Sequence, residues 1–258
     1  MRKAGVVLII VFIYLFGIFA LGKSIEALNN NLYIDNTNHG WGVKKNSEHK
    51  QPEVPKDVKD TMEKYNCIYV GDKDKKYLYL TIDLGYESGN TSAILDVLNK
   101  NHVLATFFIV SSYLEKNKDI VDRIVKEGHS IQNHTTNYVK LNTLDDNSVR
   151  KEIMDLHNIV KERYGISMKY LRTPFEEWSE RVLKIAMDEG YRTVFWSVAC
   201  VDWVEDKDAN YIYSSIINNH HNGAVILLHS VSKSSANAID MIVSDLIKKG
   251  YEFKLLDE

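Results

Sequence analysis

The run Tyr77–Glu87, YLYLTIDLGYE, decides how the rest of the chain is read. It opens on apolar, aromatic and β-branched residues, the composition of a buried strand, and delivers a carboxylate, Asp83, to the rim of a sheet. A helix-like segment, NTSAILDVLNKN, comes next, followed by a second apolar run of strand length, HVLATFFIV. Beyond it HSIQNHT, KYLRTP, RTVFWSVA, AVILLHS and EFKLLD repeat the strand signal. Between most of them lie helical segments: NKDIVDRIVKEG, DNSVRKEIMDLHNIVKERYG, SERVLKIAMDEG, DANYIYSSIINNH and SANAIDMIVSDLIKKG. Gly128, Gly165, Gly190 and Gly250 stand where a left-handed helix cap is wanted.

Such alternation requires right-handed crossovers and a parallel sheet, either open or closed into a barrel. About seven strands, with polar residues collected just after them, predict an α/β barrel whose chemistry sits at the carboxyl ends of its strands. The distinctive side chains fall at those ends: Asp83, His134, Arg172, Asp202 with Trp203, and His229. Singly, each has an ordinary structural role as a helix cap, a backbone-bonded histidine, an ion pair or packing. Together, at successive strand ends, they predict one rim and one site.

Composition limits the alternatives. With 258 residues, 45% hydrophobic and 26% charged, the chain can bury one substantial core. A formal net charge of -3 leaves no basic stripe to neutralise phosphates, so nucleic acid is excluded as a partner. Cys67 and Cys200 lack metal-ligand or redox spacing and are either one disulfide or two buried thiols. At the N-terminus Arg2-Lys3 precede an uncharged apolar run from Ala4 to Gly22. Residues 1–22 are therefore a signal peptide, with Ala20-Leu-Gly22 at the cleavage positions, or an uncleaved anchor of the ~20 residues a bilayer needs. Both export the rest of the chain. Residues 23–74 read as a polar arm or linker with a short helix near Asp57 to Tyr65, pinned to the domain by Trp41, and residues 75–258 as the domain itself.

The ordered motifs TIDLGYE, GHSIQNHT, LRTP, FWSVACVDW, AVILLHSVSKSSANAID and GYEFKLLD resemble the polysaccharide deacetylases of carbohydrate esterase family 4. Within that family the likeness is strongest to the N-acetylmuramic acid deacetylases that make muramic δ-lactam in spore cortex. The resemblance implies a distorted (β/α)7 barrel of TIM type and an amide hydrolase releasing acetate from peptidoglycan glycan strands. It implies Asp83 as general base, Arg172 as the group holding it, His229 as general acid and Asp202 as the carboxylate tuning His229. It also implies Trp203 and Leu227 at the acetyl pocket, the backbone N–H near Phe175 at the oxyanion, and a zinc-type divalent metal.

The metal ligands are where this sequence departs from the pattern. The acidic ligand position is Leu84, the second histidine position is Tyr138, and His134 alone is kept. One imidazole does not hold zinc against water, so the metal is expected to be lost or weakly bound. Leu84 is expected to put hydrocarbon where the cation would need oxygen. A substitute set of Asp83, Glu87 or His129 with His134 is a further arrangement. The motif glycine after the LRTP segment is Glu176, which brings negative charge toward the oxyanion position. Three functions follow: a working exported deacetylase, an inactive family member binding glycan or a partner such as a cortex enzyme, or a metal-free hydrolysis run by Asp83 and His229. The metal chemistry favours the second.

Overall fold

The computed structural model describes residues 34–45, 48–204 and 207–256, of which the part from Thr37 onward belongs to one compact unit. The signal peptide or anchor expected over residues 1–22 lies outside the described residues. Among those described, no helix is long and apolar enough to cross a membrane.

In chain order the elements are β1 (His39–Gly40), α1 (Lys56–Lys64), β2 (Tyr77–Leu84), α2 (Thr91–Lys100), β3 (Thr106–Ile109), α3 (Ser111–Lys116), α4 (Lys118–Lys126), β4 (Ser130–Asn133) and α5 (Asp146–Tyr164). They continue with β5 (Tyr170–Leu171), β6 (Glu177–Trp178), α6 (Glu180–Asp188), β7 (Arg192–Thr193), β8 (Val198–Ala199), α7 (Ala209–Ile217), β9 (Ala224–His229), α8 (Lys233–Lys248) and β10 (Glu252–Phe253). The parallel strands run in the order β7-β5-β4-β3-β2-β9-β8, with β10 pairing with β2. This curled sheet with helices outside is the distorted (β/α)7 barrel the sequence implied.

Local chemistry places the helix ends. Asp145, Ser179, Asp208 and Ser232 each accept a backbone N–H from the first turn of α5, α6, α7 and α8. Gly165 closes α5 in the left-handed conformation, φ 70°, where a Cβ would be strained. Gly223 has a second reason: a Cβ there would sit 2.6 Å from the backbone of Gly71.

Period-two alternation sorts β2 between two layers. Leu78, Leu80, Ile82 and Leu84 join the large apolar cluster beneath the helices. On the opposite face Tyr79 packs inside the barrel with Phe108, Tyr170, Val194 and Val225. Asp83, at the carboxyl end, follows Tyr79 on the inner face.

RTVFWSVA is two short strands rather than one, because the chain between β7 and β8 meets the arm. Ile68 bridges Val194, Val70 bridges Ala224, and the Phe195 N–H donates to the Ile68 carbonyl. The arm therefore covers backbone that a curled sheet would leave at its seam. Trp41 is buried, stacked 4.5 Å from Phe195, and donates its indole N–H to the Trp196 carbonyl at 2.8 Å. Cys67 and Cys200 are free thiols, both pushed up to about 12 by burial, so no disulfide joins them.

Candidate active site

The carboxyl rim gathers Asp83, His134, Tyr138, Phe175, Glu176, Trp203 and His229 around one cavity of ≈ 700 Å³. Asp83, the last inward residue of β2, is buried and takes a 2.7 Å hydrogen bond from Arg172 Nη1. The guanidinium is itself fixed: Nη2 donates to Thr81 Oγ1 at 3.0 Å, and Cζ lies 4.3 Å from the Phe108 ring centroid. Burial alone would raise the Asp83 carboxyl. Arg172, then His134 and His229, outweigh it and hold the carboxyl below its ordinary value.

Facing this pair, His229 closes β9. Its Nδ1 lies 2.8 Å from Asp202 Oδ1, while its backbone N–H donates to Oδ2 of the same carboxylate at 2.7 Å. Ser235 Oγ also donates to Asp202 Oδ2, at 3.2 Å, so the carboxylate is locked from three sides. Burial would lower the imidazole. The hydrogen bond and charge of Asp202, with Asp83 and Glu176 behind them, outweigh burial and raise it. The Trp203 ring meets His229 edge-on at 5.1 Å.

His134, just beyond β4, donates from Nδ1 to the Arg172 carbonyl at 2.9 Å, which leaves Nε2 as its lone-pair nitrogen. Nε2 lies 3.4 Å from Asp83 Oδ2. This is how a protein orients an imidazole to bind a cation, but the rest of the donor set does not fit one. Among the described residues no three histidine, cysteine or carboxylate groups converge. Tyr138 takes the second ligand position with its ring 4.9 Å from His134, and burial raises its phenol so that it stays neutral. Its hydroxyl accepts the Phe175 N–H at 3.4 Å, the donor expected to face the oxyanion. Of the substitute set, Asp83 alone reaches His134. His129 stands at the opposite end of β4 and accepts the Ala105 N–H, while Glu87 is bonded to Thr91 and Tyr113.

Two expectations need correction. Leu84 does not place hydrocarbon in the site: it is fully buried in the helix-side cluster, because strand alternation turns it away from Asp83. Leu227 is one inward step below His229 on β9 and is not among the residues lining the cavity. Sequence reasoning also missed Glu152. On the buried face of α5, it accepts the Asn137 backbone N–H at 2.8 Å and side-chain amide at 2.7 Å, holding the loop from His134 to Tyr138. The signal was present as one carboxylate in the apolar row of Val149, Ile153, Leu156 and Val160. Tyr86, an exposed cavity residue, was missed as well.

The class defined by this geometry is a (β/α) barrel with a buried carboxylate and, at its carboxyl rim, a histidine whose charged form Asp202 favours. A polysaccharide deacetylase model matches residues 70–194. The peptidoglycan-N-acetylmuramic acid deacetylase PdaA of Bacillus subtilis is 40% identical over 84% of this chain and 84% of its own. Its solved structure matches with a TM-score of 0.83 at 39% identity, covering 86% of this chain and 96% of that one. An uncharacterized 30.6 kDa protein of Geobacillus stearothermophilus is 44% identical over 84% of this chain and 83% of its own. A family 4 pseudoenzyme of Bacillus anthracis matches with a TM-score of 0.70 at 25% identity, covering 74% of this chain and 67% of that one; a mutant of the same pseudoenzyme has restored enzymatic activity. This chain belongs to the polysaccharide deacetylase family, carbohydrate esterase family 4.

Proposed function

We propose that this chain acts on the glycan strands of peptidoglycan, and that its cavity receives the acetamido group of N-acetylmuramic acid. The observation that carries this reading is that Asp83, held by Arg172, and His229, held by Asp202, line the same cavity. The 40% identity to PdaA supports the choice of sugar. The proton path runs from water to Asp83 and from His229 to the departing nitrogen, with acetate as a product. Removal of acetate from muramic acid frees the amine that closes the δ-lactam of spore cortex. Residues 4–22 place the chain on the outer side of the membrane, as anchor or cleaved signal, where its glycan lies. The domain occupies residues 75–258, with residues 23–74 as its arm.

A metal in this family supplies a Lewis acid for the amide carbonyl, and the donor set here does not fit it. This favours a second reading: a glycan-binding member without turnover, working beside an active cortex enzyme. The test is acetate release and mass spectrometry of peptidoglycan incubated with the full chain. Acetate with δ-lactam supports hydrolysis; glycan binding with no acetate supports the second reading; neither binding nor release overturns both.

A further inference from the structure

Glu176 is a carboxylate in the cavity wall that makes no direct ion pair among the described residues. Asp83 is balanced by Arg172 at 2.7 Å, and His229 by Asp202 at 2.8 Å. Lys140, whose Nζ lies 5.6 Å from the Phe175 ring centroid, is taken by Glu177 at 2.7 Å. Among the described residues no lysine, arginine or histidine lies within ion-pair distance of Glu176. Burial, with Asp83 adding to it, pushes the Glu176 carboxyl up against the weaker pull of the Trp196 indole, Arg172 and His229. A carboxylate so placed has no direct ion-pair partner, and a bound cation would supply one.

The backbone that presents Glu176 is itself unusual. Phe175 and Glu176 have φ of 59° and 57°, consecutive left-handed residues of which neither is glycine. This conformation is strained for any side chain with a Cβ. A glycine at 176 would adopt it freely, so the glutamate is held there against its own preference, with its carboxylate in the cavity wall. Around it stand exposed aromatic residues: Tyr86, Trp203, Phe175 and Tyr138 are 61%, 51%, 49% and 38% exposed. The Tyr138 and Phe175 rings lie 4.8 Å apart beside the carboxylate. Aromatic faces stack on sugar rings and attract cations.

We propose that this cavity binds the free 2-ammonium group of a deacetylated amino sugar in peptidoglycan, with Glu176 as the counter-charge and Phe175 and Tyr138 as the aromatic walls. The inference rests on the reading of the cavity as a peptidoglycan site. The acetamido sugar of the proposed substrate brings no charge to Glu176 and gains nothing from it beyond neutral hydrogen bonding. An ammonium in the same place donates charge-assisted hydrogen bonds to it.

Calorimetric titration of the full chain with two glycan fragments that differ only at C2, N-acetylated and free amine, at fixed pH and salt, tests the proposal. The amine fragment is expected to bind about tenfold tighter. Glu176→Gln should remove that preference. Glu176→Gly should remove it too while raising the melting temperature, since the left-handed strain is relieved; this variant keeps the test valid if the glutamine variant misfolds. Equal binding, tighter binding of the acetylated fragment, or a preference that survives both variants overturns the proposal. If neither fragment binds, the peptidoglycan reading itself falls and takes the inference with it.

Discussion

Arg172 Nη1 donates to Asp83 Oδ1 at 2.7 Å from within the barrel, where both side chains are buried. Removing one partner leaves the other as an uncompensated charge. Arg172→Leu should therefore lower unfolding free energy by about 3–5 kcal/mol in urea titrations at neutral pH. Adding Asp83→Asn should recover part of the loss. Because the Asp83 carboxyl is held low in the folded protein, its stabilising contribution is present above its unfolded value and disappears as pH falls through the folded one. The gap between Arg172→Leu and the parent should narrow in acid.

His229 gives the opposite sign. Burial acts against its charge, but Asp202 overcomes it and the imidazole is raised. Its contribution to stability is full below the ordinary histidine value and is lost as pH rises through the raised folded value. Asp202→Asn should move the His229 titration, followed by NMR, to lower pH. It should also move the basic limb of any acetate-release profile to lower pH.

Leu84 and Tyr138 fail as ligands for different reasons, so restoring them should have separable effects. Leu84→Asp alone should destabilise by about 2–5 kcal/mol, because it places a carboxylate where a fully buried leucine packs. Tyr138→His alone, which sets a second imidazole beside His134 and Asp83, should bind zinc and gain stability with zinc concentration, by about 2.7 kcal/mol at a hundredfold excess over the dissociation constant, whereas Leu84→Asp, turned into the core, should add no zinc dependence. The parent should show no zinc-dependent shift in melting temperature. A zinc-dependent rise in the parent would contradict the reading of its donor set.

Glu152 clamps Asn137 through two hydrogen bonds. Glu152→Ala should cost about 1–3 kcal/mol, since it leaves those donors without their partner. Faster hydrogen exchange at the Asn137 amide, with the β2 amides unchanged, would locate the effect in the loop carrying His134 and Tyr138.

The path from sequence to site was legible where it depended on neighbours along the chain. Strand–helix alternation yielded the barrel, and polar residues at strand ends yielded Asp83, His134, Arg172, Asp202 and His229 at one rim. The division of RTVFWSVA was not legible. It depends on Ile68 pairing with Val194 across a long loop of chain, and apolar composition does not record a distant partner. Glu152 was passed over because a carboxylate in a helix is ordinarily a solvated one.

By itself the sequence determined the strand–helix alternation and which side chains stand at the strand ends, with Leu84 and Tyr138 among them, because these follow from residue types at fixed spacing. Only the tertiary structure decided where the replacements went. Leu84 turns into the helix-side core, since a strand sends successive side chains to opposite faces. Tyr138 stays in the cavity and takes the Phe175 N–H. Glu176 makes no direct ion pair among the described residues, because Lys140, Arg172 and His229 are paired with Glu177, Asp83 and Asp202 across elements that the sequence separates.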